Sequence, residues 1–233
     1  MKKGIQPSGA LTRKKVLNAS VKVFLEKGYA GATAKEIADM AEISSGSPFG
    51  LFGNKEGILL ELVRQMFSSQ FDLAEKLIGA EADPLLLYAA ETALQLHITE
   101  LSEPLRELYV TAYTLPNTSE YIYEQTAERL RVIFSPYLPD AAAKDFYELE
   151  IASAGVTRGF MAKPCDLYFT MERKLRRYLT SCFKLYEVPP ERYRPVAERV
   201  LAMDLRGVAA QIIDATVRAA EAGFETVMTE GRA

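Results

Sequence analysis

The side chains that most often carry chemistry are scarce in this chain. His97 is the only histidine among 233 residues, and Cys165 and Cys182 are the only cysteines. No nucleophile is paired with a base, no His/Cys/Asp/Glu run has metal-ligand spacing, and no glycine-rich loop of the phosphate-cradling kind occurs. With one histidine, acid–base catalysis would fall to carboxylates alone. The expectation is a protein that is not an enzyme and that uses no metal and no cofactor.

Informative spacing lies instead between Thr12 and Phe67. Val16, Leu17, Ser20, Val21 and Phe24 recur at helical intervals, so Arg13 to Lys27 is an amphipathic helix. Thr12 is its N-cap and Gly28 its left-handed stop. Thr33 and Glu36 form a capping box that starts a second helix at Ala34, with Ile37, Ala38 and Ala41 as its apolar face. A turn through Glu42 and Ile43 leads to a third helix, capped by Ser44 or Ser45 and pinned by Phe49 and Phe52. Asn54 caps a fourth helix that runs through Ile58, Leu59, Leu62, Val63, Met66 and Phe67. Helices this short are marginal alone. In close succession they make sense as a packed tri-helical unit whose second and third helices form a helix-turn-helix, which offers one short helix to a DNA major groove.

The run Gly28-Tyr29, Thr33-x-x-x-Ile37-Ala38, Ile43-Ser44-x-Gly46-Ser47-x-Phe49 and Leu51-Phe52-Gly53-Asn54-Lys55-Glu56 resembles the amino-terminal domain of the TetR family of bacterial transcriptional regulators. The resemblance covers about a quarter of the chain in order, spacing and residue type. It implies that Thr33 and Lys35 meet the phosphate backbone. Ser44, Ser45 and Ser47 would sit at the leading end of the recognition helix, facing base edges or phosphates. Phe49 stands where the family usually has a phosphate-bonding tyrosine, and Lys55 opens a helix whose positive end would also face a phosphate. Solvated surface lysine is the plainer reading of Lys35 and Lys55.

Four departures from the pattern matter. Glu42 replaces the usual turn glycine, where a positive φ costs a non-glycine residue about 1 kcal/mol. Phe49 lacks the tyrosine hydroxyl. Pro48 falls in the first turn of the third helix, where its missing N–H is tolerable only near the start. Gly50 sits mid-helix, at a cost of about 1 kcal/mol relative to alanine. The third helix is therefore intrinsically weak, and the expectation is that Phe49, Leu51 and Phe52 hold it by docking on the first. It also lacks the Arg, Lys, Asn and Gln that bond bases bidentately, so specificity should lean on Lys35, helix ends, DNA shape and dimer spacing.

Charge follows the same division. Residues 1–65 carry 10 Lys+Arg against 6 Asp+Glu, whereas the whole chain has 28 against 31. A basic head on an acidic body suits phosphate binding by the head. The domains expected are 1–54, with a flexible arm over 1–10, and a helical body over 55–233. No apolar run approaches the roughly 20 residues of a membrane helix. No apolar signal core follows Met1, so the expected location is cytoplasmic. On one helix the two cysteines would lie about 25 Å apart by the helical rise, too far to bridge.

Past Phe67 the pattern stays helical, and the fold class expected is all-α. Prolines and glycines punctuate helices near 55–78, 85–100, 104–114, 119–134, 141–161, 166–186 and 195–222. The resemblance implies that this body binds a ligand and dimerises. Its tyrosines suit an aromatic or amphipathic small molecule, and His97, Tyr109, Tyr113, Tyr123 and Arg158 are the candidate ligand contacts; packing, exposure or ion pairing is the alternative for each. Arg173, Lys174, Arg176 and Arg177 read as a solvated face. The 141–161 helix, with Ala152, Ala154, Gly155 and Gly159, is the first candidate for a dimer interface, and 166–186 or the last helix the second. The function expected is a homodimeric repressor that binds double-stranded DNA at a palindromic operator and is released by a small-molecule effector. A helical protein-interaction scaffold that has lost specific DNA binding is the alternative.

Overall fold

The structure is a computed structural model that describes the backbone of residues 7–79 and 83–230; the side chains of 7–8, 47, 67–77 and 224–230 lie outside the described residues. All regular elements among the described residues are α-helices, eleven in number. The head comprises α1 (Pro7–Gly31), α2 (Ala34–Met40), α3 (Ser47–Phe52) and the start of α4 (Lys55–Ile78). The body adds α5 (Pro84–Leu101), α6 (Glu103–Ala112), α7 (Pro116–Phe134), α8 (Ala143–Ala162), α9 (Met171–Leu185), α10 (Pro190–Leu201) and α11 (Leu205–Glu230).

Among the described residues the two largest buried clusters lie one in the head and one in the body. Val16, Val23, Phe24, Ile37, Ala41 and Ile58 fill the head. Ile58 belongs to α4, so this helix closes the head core and then continues as part of the body. In the body, α5 is the central helix, buried on nearly all sides, and α7 to α10 pack around it. Rings of Tyr88, Phe134, Phe183 and Tyr186 meet there, with Phe134 and Tyr186 stacked at 4.0 Å between centroids. Such contacts add to area burial by about 1 kcal/mol each.

Several sequence expectations need correction. Residues 7–10 are the first turn of α1 and not part of a flexible arm, and the rest of the expected arm, 1–6, lies outside the described residues. The expected 166–186 helix begins only at Met171, because Asp166 Oδ1 accepts from the amides of Tyr168 and Phe169 and forms a turn instead. Cys165 thus precedes α9, while Cys182 is buried inside it. The expected last helix is two, because Asp204 caps a new start by accepting from the Gly207 amide. Lys174 does not join its basic neighbours on a solvated face. It lies one turn before Tyr178 on the inner side of α9, wholly buried, with its ammonium 2.8 Å from Glu100 Oε2.

Candidate nucleic-acid interface

The helix-turn-helix is built by end-capping. Glu36 N donates to Thr33 Oγ1 at 3.2 Å, and Thr33 N donates to Glu36 Oε2 at 3.0 Å, which completes the capping box at the start of α2. Glu36 also pairs with Lys27 of α1, and these bonds hold its carboxyl down at about 2. The far end of α2 closes with a Schellman motif. Ile43 N donates to Ala38 O at 3.1 Å and Glu42 N to Asp39 O at 3.2 Å. That pattern requires a left-handed residue after the cap, and Glu42 supplies it at φ 54°. The turn keeps its glycine geometry without glycine.

The third helix differs from expectation in how it starts and what holds it. It begins at Ser47 behind Gly46, with no side-chain cap, so neither Ser44 nor Ser45 caps it. Pro48 occupies its first turn, where its missing N–H would have been unsatisfied in any case. The buried residue is Pro48, whereas Phe49 is 39% exposed. Phe49 therefore does not dock on α1; Leu51 and Phe52 pack there instead. Arg13 of α1 completes the attachment. Its guanidinium lies 4.2 Å from the Phe52 ring centroid, donates to Leu51 O at 3.4 Å and pairs with Glu61 of α4 at 2.9 Å. Sequence reasoning missed Arg13, because its partners lie 38 and 48 residues further along; only a basic residue on the flank of an amphipathic helix hinted at it.

The exposed surface of this unit carries Thr33, Lys35, Ser44, Ser45, Gly46, Phe49 and Gly50; the Ser47 side chain lies outside the described residues. Thr33 spends its hydroxyl on the capping box. Lys55 is placed otherwise than a free phosphate ligand. Its Nζ donates to Tyr29 O at 2.7 Å and Ala32 O at 3.1 Å, and lies 4.4 Å from the Tyr29 ring centroid. It fastens the α1–α2 turn, because two carbonyls at the end of a helix are natural partners for a cation. Asn54 Oδ1 caps the same helix by accepting from Gly57 N at 2.8 Å.

Two carboxylates join head to body. Glu107 of α6 accepts from Ala30 N at 2.7 Å. Its other oxygen lies 1.8 Å from where a Cβ on Gly28 would stand, so only glycine, here at φ 71°, leaves room. In the opposite direction, Glu56 of α4 accepts from Asn117 N at the start of α7, at 2.7 Å. The turn before the helix-turn-helix is thus tied to α6, and α4 to α7.

Of the five candidate ligand contacts, the structure brings two together. Tyr109 and Tyr113 both line a cavity of about 260 Å³ between head and body. His97 of α5 is not in its wall; burial lowers its pKa. Tyr123 instead packs edge-on against Tyr147 at 6.4 Å, and Arg158 is exposed on α8. These three stand on α5, α7 and α8, whereas Tyr109 lies in α6 and Tyr113 caps its end.

Residues 16–62 match the model of the bacterial regulatory proteins of the tetR family. The chain is 35% identical over 68 residues to the HTH-type transcriptional regulator YvkB of Bacillus subtilis, a match that covers 29% of this chain and 36% of that protein. It is 21% identical over 190 residues to the HTH-type transcriptional repressor NicS of Pseudomonas putida, covering 72% and 80%. To the HTH-type transcriptional regulator BetI of Paraburkholderia phytofirmans it is 24% identical over 147 residues, covering 58% and 73%. Head geometry and the family match agree on the head: residues 16–62 form a domain of the tetR family of bacterial regulatory proteins.

Proposed function

We propose that this chain is a homodimeric repressor that binds a palindromic operator through α3 and leaves it when a small molecule enters the seam between head and body. The observation that carries the reading is the division of the head into two faces. One face is packed by Val16, Phe24, Ile37 and Ile58, and the other exposes Ser44, Ser45 and Gly46 of the turn into α3, with Phe49 and Gly50 of α3 and Lys35 of α2 beside them. The exposed face fits a groove, and its lack of bidentate base readers assigns specificity to shape and half-site spacing. Phosphate contacts fall to Lys35 and backbone amides, while Thr33 and Lys55 hold the helices that present them.

One head offers too few contacts for specific binding, and two-fold pairing is the usual solution. The outer side of α8 supports it. Ile151 is 43% exposed, and Ala152, Gly155 and Gly159 lie exposed at helical spacing beside it, a strip on which a second helix can approach closely. The cavity supports ligand response, because α1 and α4 of the head form part of its wall. A ligand that prefers the seam opened would bias the dimer toward a spacing that no longer fits successive grooves. That NicS is named a repressor favours repression over activation.

The test is fluorescence anisotropy with duplex from the gene's own upstream region. One lysine contact per head, two per dimer, gives an affinity loss of at least about tenfold between roughly 50 and 200 mM salt. Equal binding to scrambled duplex would remove the operator from the reading.

A further inference from the structure

We infer that the cavity at the head–body seam takes an uncharged, largely apolar ligand of about the size of a fused two-ring aromatic. The inference rests on the ligand-responsive reading above and gives it a chemical class. Protein interiors pack without voids much larger than a water molecule. Here a space of about 260 Å³ stays open against large apolar side chains, with Phe24 and Leu25 of α1, Leu62 of α4, and Leu105, Leu108 and Tyr109 of α6 among them. A cavity whose wall is mostly apolar favours apolar molecules over water across most of its surface. At interior packing density it holds on the order of a dozen non-hydrogen atoms.

Charge decides the class. Sixteen residues line the cavity, and none of them is Asp, Glu, Lys, Arg or His. Polar groups there are neutral: Gln65, Gln95, Thr216 and the hydroxyls of Tyr109 and Tyr113. An ion moved into such a wall would lose its hydration and find no counter-charge. A neutral ring bearing one hydroxyl or amide loses little and meets a partner. Buried carboxylates do exist nearby, at Glu91 and Glu150, but neither lines the cavity. Glu91 faces Arg129 at 3.5 Å, and Glu150 accepts from Ser153 Oγ at 2.6 Å. Ser153 Oγ in turn accepts from the Tyr186 hydroxyl at 2.8 Å. These acids are used within the body. Entry lies toward Met66, which is 40% exposed, and the exposed Thr216.

The chain contains no tryptophan, so naphthyl fluorescence can be read without that background. The experiment compares 2-naphthol, 2-naphthoate and 2-naphthylmethylammonium at pH 7, which share one bicycle and differ in charge. The expected result is that naphthol binds at least tenfold tighter than either ion. Val63→Phe, which fills the cavity wall without adding a tryptophan, abolishes that binding, and Thr216→Phe at the exposed rim weakens it should the first variant fold poorly. Either ion binding as tightly as naphthol, with the same loss in these variants, overturns the class. Saturable binding of none of the three to folded protein overturns the cavity as a ligand site. Operator anisotropy is read in parallel: naphthol bound in the cavity with the DNA complex intact leaves the class standing and refutes release as the mechanism.

Discussion

Gly28 and Glu107 form a contact whose energy can be isolated. Gly28→Ala places a residue at φ 71° and drives its Cβ to 1.8 Å from Glu107 Oε2. With ψ at 177° this is a region essentially reserved for glycine, and the backbone term is about 1 to 3 kcal/mol. The clash expels the carboxylate and breaks its bond to Ala30 N; for a charge-assisted bond at an exposed site this adds about 1 kcal/mol. Gly28→Ala should therefore cost about 2 to 4 kcal/mol, and Glu107→Ala alone about 1. The double variant should cost no more than Gly28→Ala, because the bond can be lost only once. The cycle then gives a coupling energy of about 1 kcal/mol. Urea unfolding of the four proteins measures it, and amide hydrogen exchange at Ala30 should accelerate equally in all three variants. Additive costs, or an Ala30 amide that keeps its protection in Glu107→Ala, would refute the argument.

Other predictions follow from single features. Glu42 and Glu187 both stand at φ 54° in Schellman closures, so Glu42→Gly and Glu187→Gly should each stabilise by about 1 kcal/mol in denaturant titrations, less the entropy that glycine adds to the unfolded chain. Lys55→Met removes two bonds to carbonyls; it should lower head stability by about 1 to 2 kcal/mol without changing the slope of log affinity against log salt, whereas Lys35→Ala should reduce that slope by about 1 per head. Burial pushes the carboxyls of Glu91 and Glu150 up to about 8 from an ordinary 4.5, so the folded state holds more protons than the unfolded chain between those values. Their contribution to stability is full below pH 4.5 and is lost as pH rises toward 8, by about 1 kcal/mol per unit for each. His97, lowered by burial, acts with the opposite sign near its ordinary 6.5; the difference in pH slope between wild type and Glu91→Gln/Glu150→Gln therefore isolates the two acids.

What the sequence made legible is what short-range chemistry determines. The Thr33–Glu36 capping box, the Asn54 cap and the span of α4 were readable because each rests on residues within one or two turns. The left-handed turn at Glu42 was recognisable as a conflict between a glycine position and a glutamate. Contacts between distant segments were hidden. Arg13 under α3, Lys55 on the α1–α2 turn and Glu107 on Ala30 join residues 26 to 77 apart, and no local pattern announces them. The exchange of Phe49 for Pro48 as the buried residue of α3 has the same origin: with Leu51 and Phe52 inward, a six-residue helix turns Phe49 outward. For the ligand site, the pair Tyr109 and Tyr113 was readable from i, i+4 spacing, whereas most of the cavity wall comes from other helices.

The central claim is that α3 and its flanks are the surface that meets DNA. Mapping backbone amide shifts of the labelled protein during titration with upstream duplex tests it most directly. The account predicts the largest changes at Lys35, from Ser44 to Gly50 and at the start of α4, all weakening with added salt. Changes centred on the body, or no binding by a folded dimer, would contradict it.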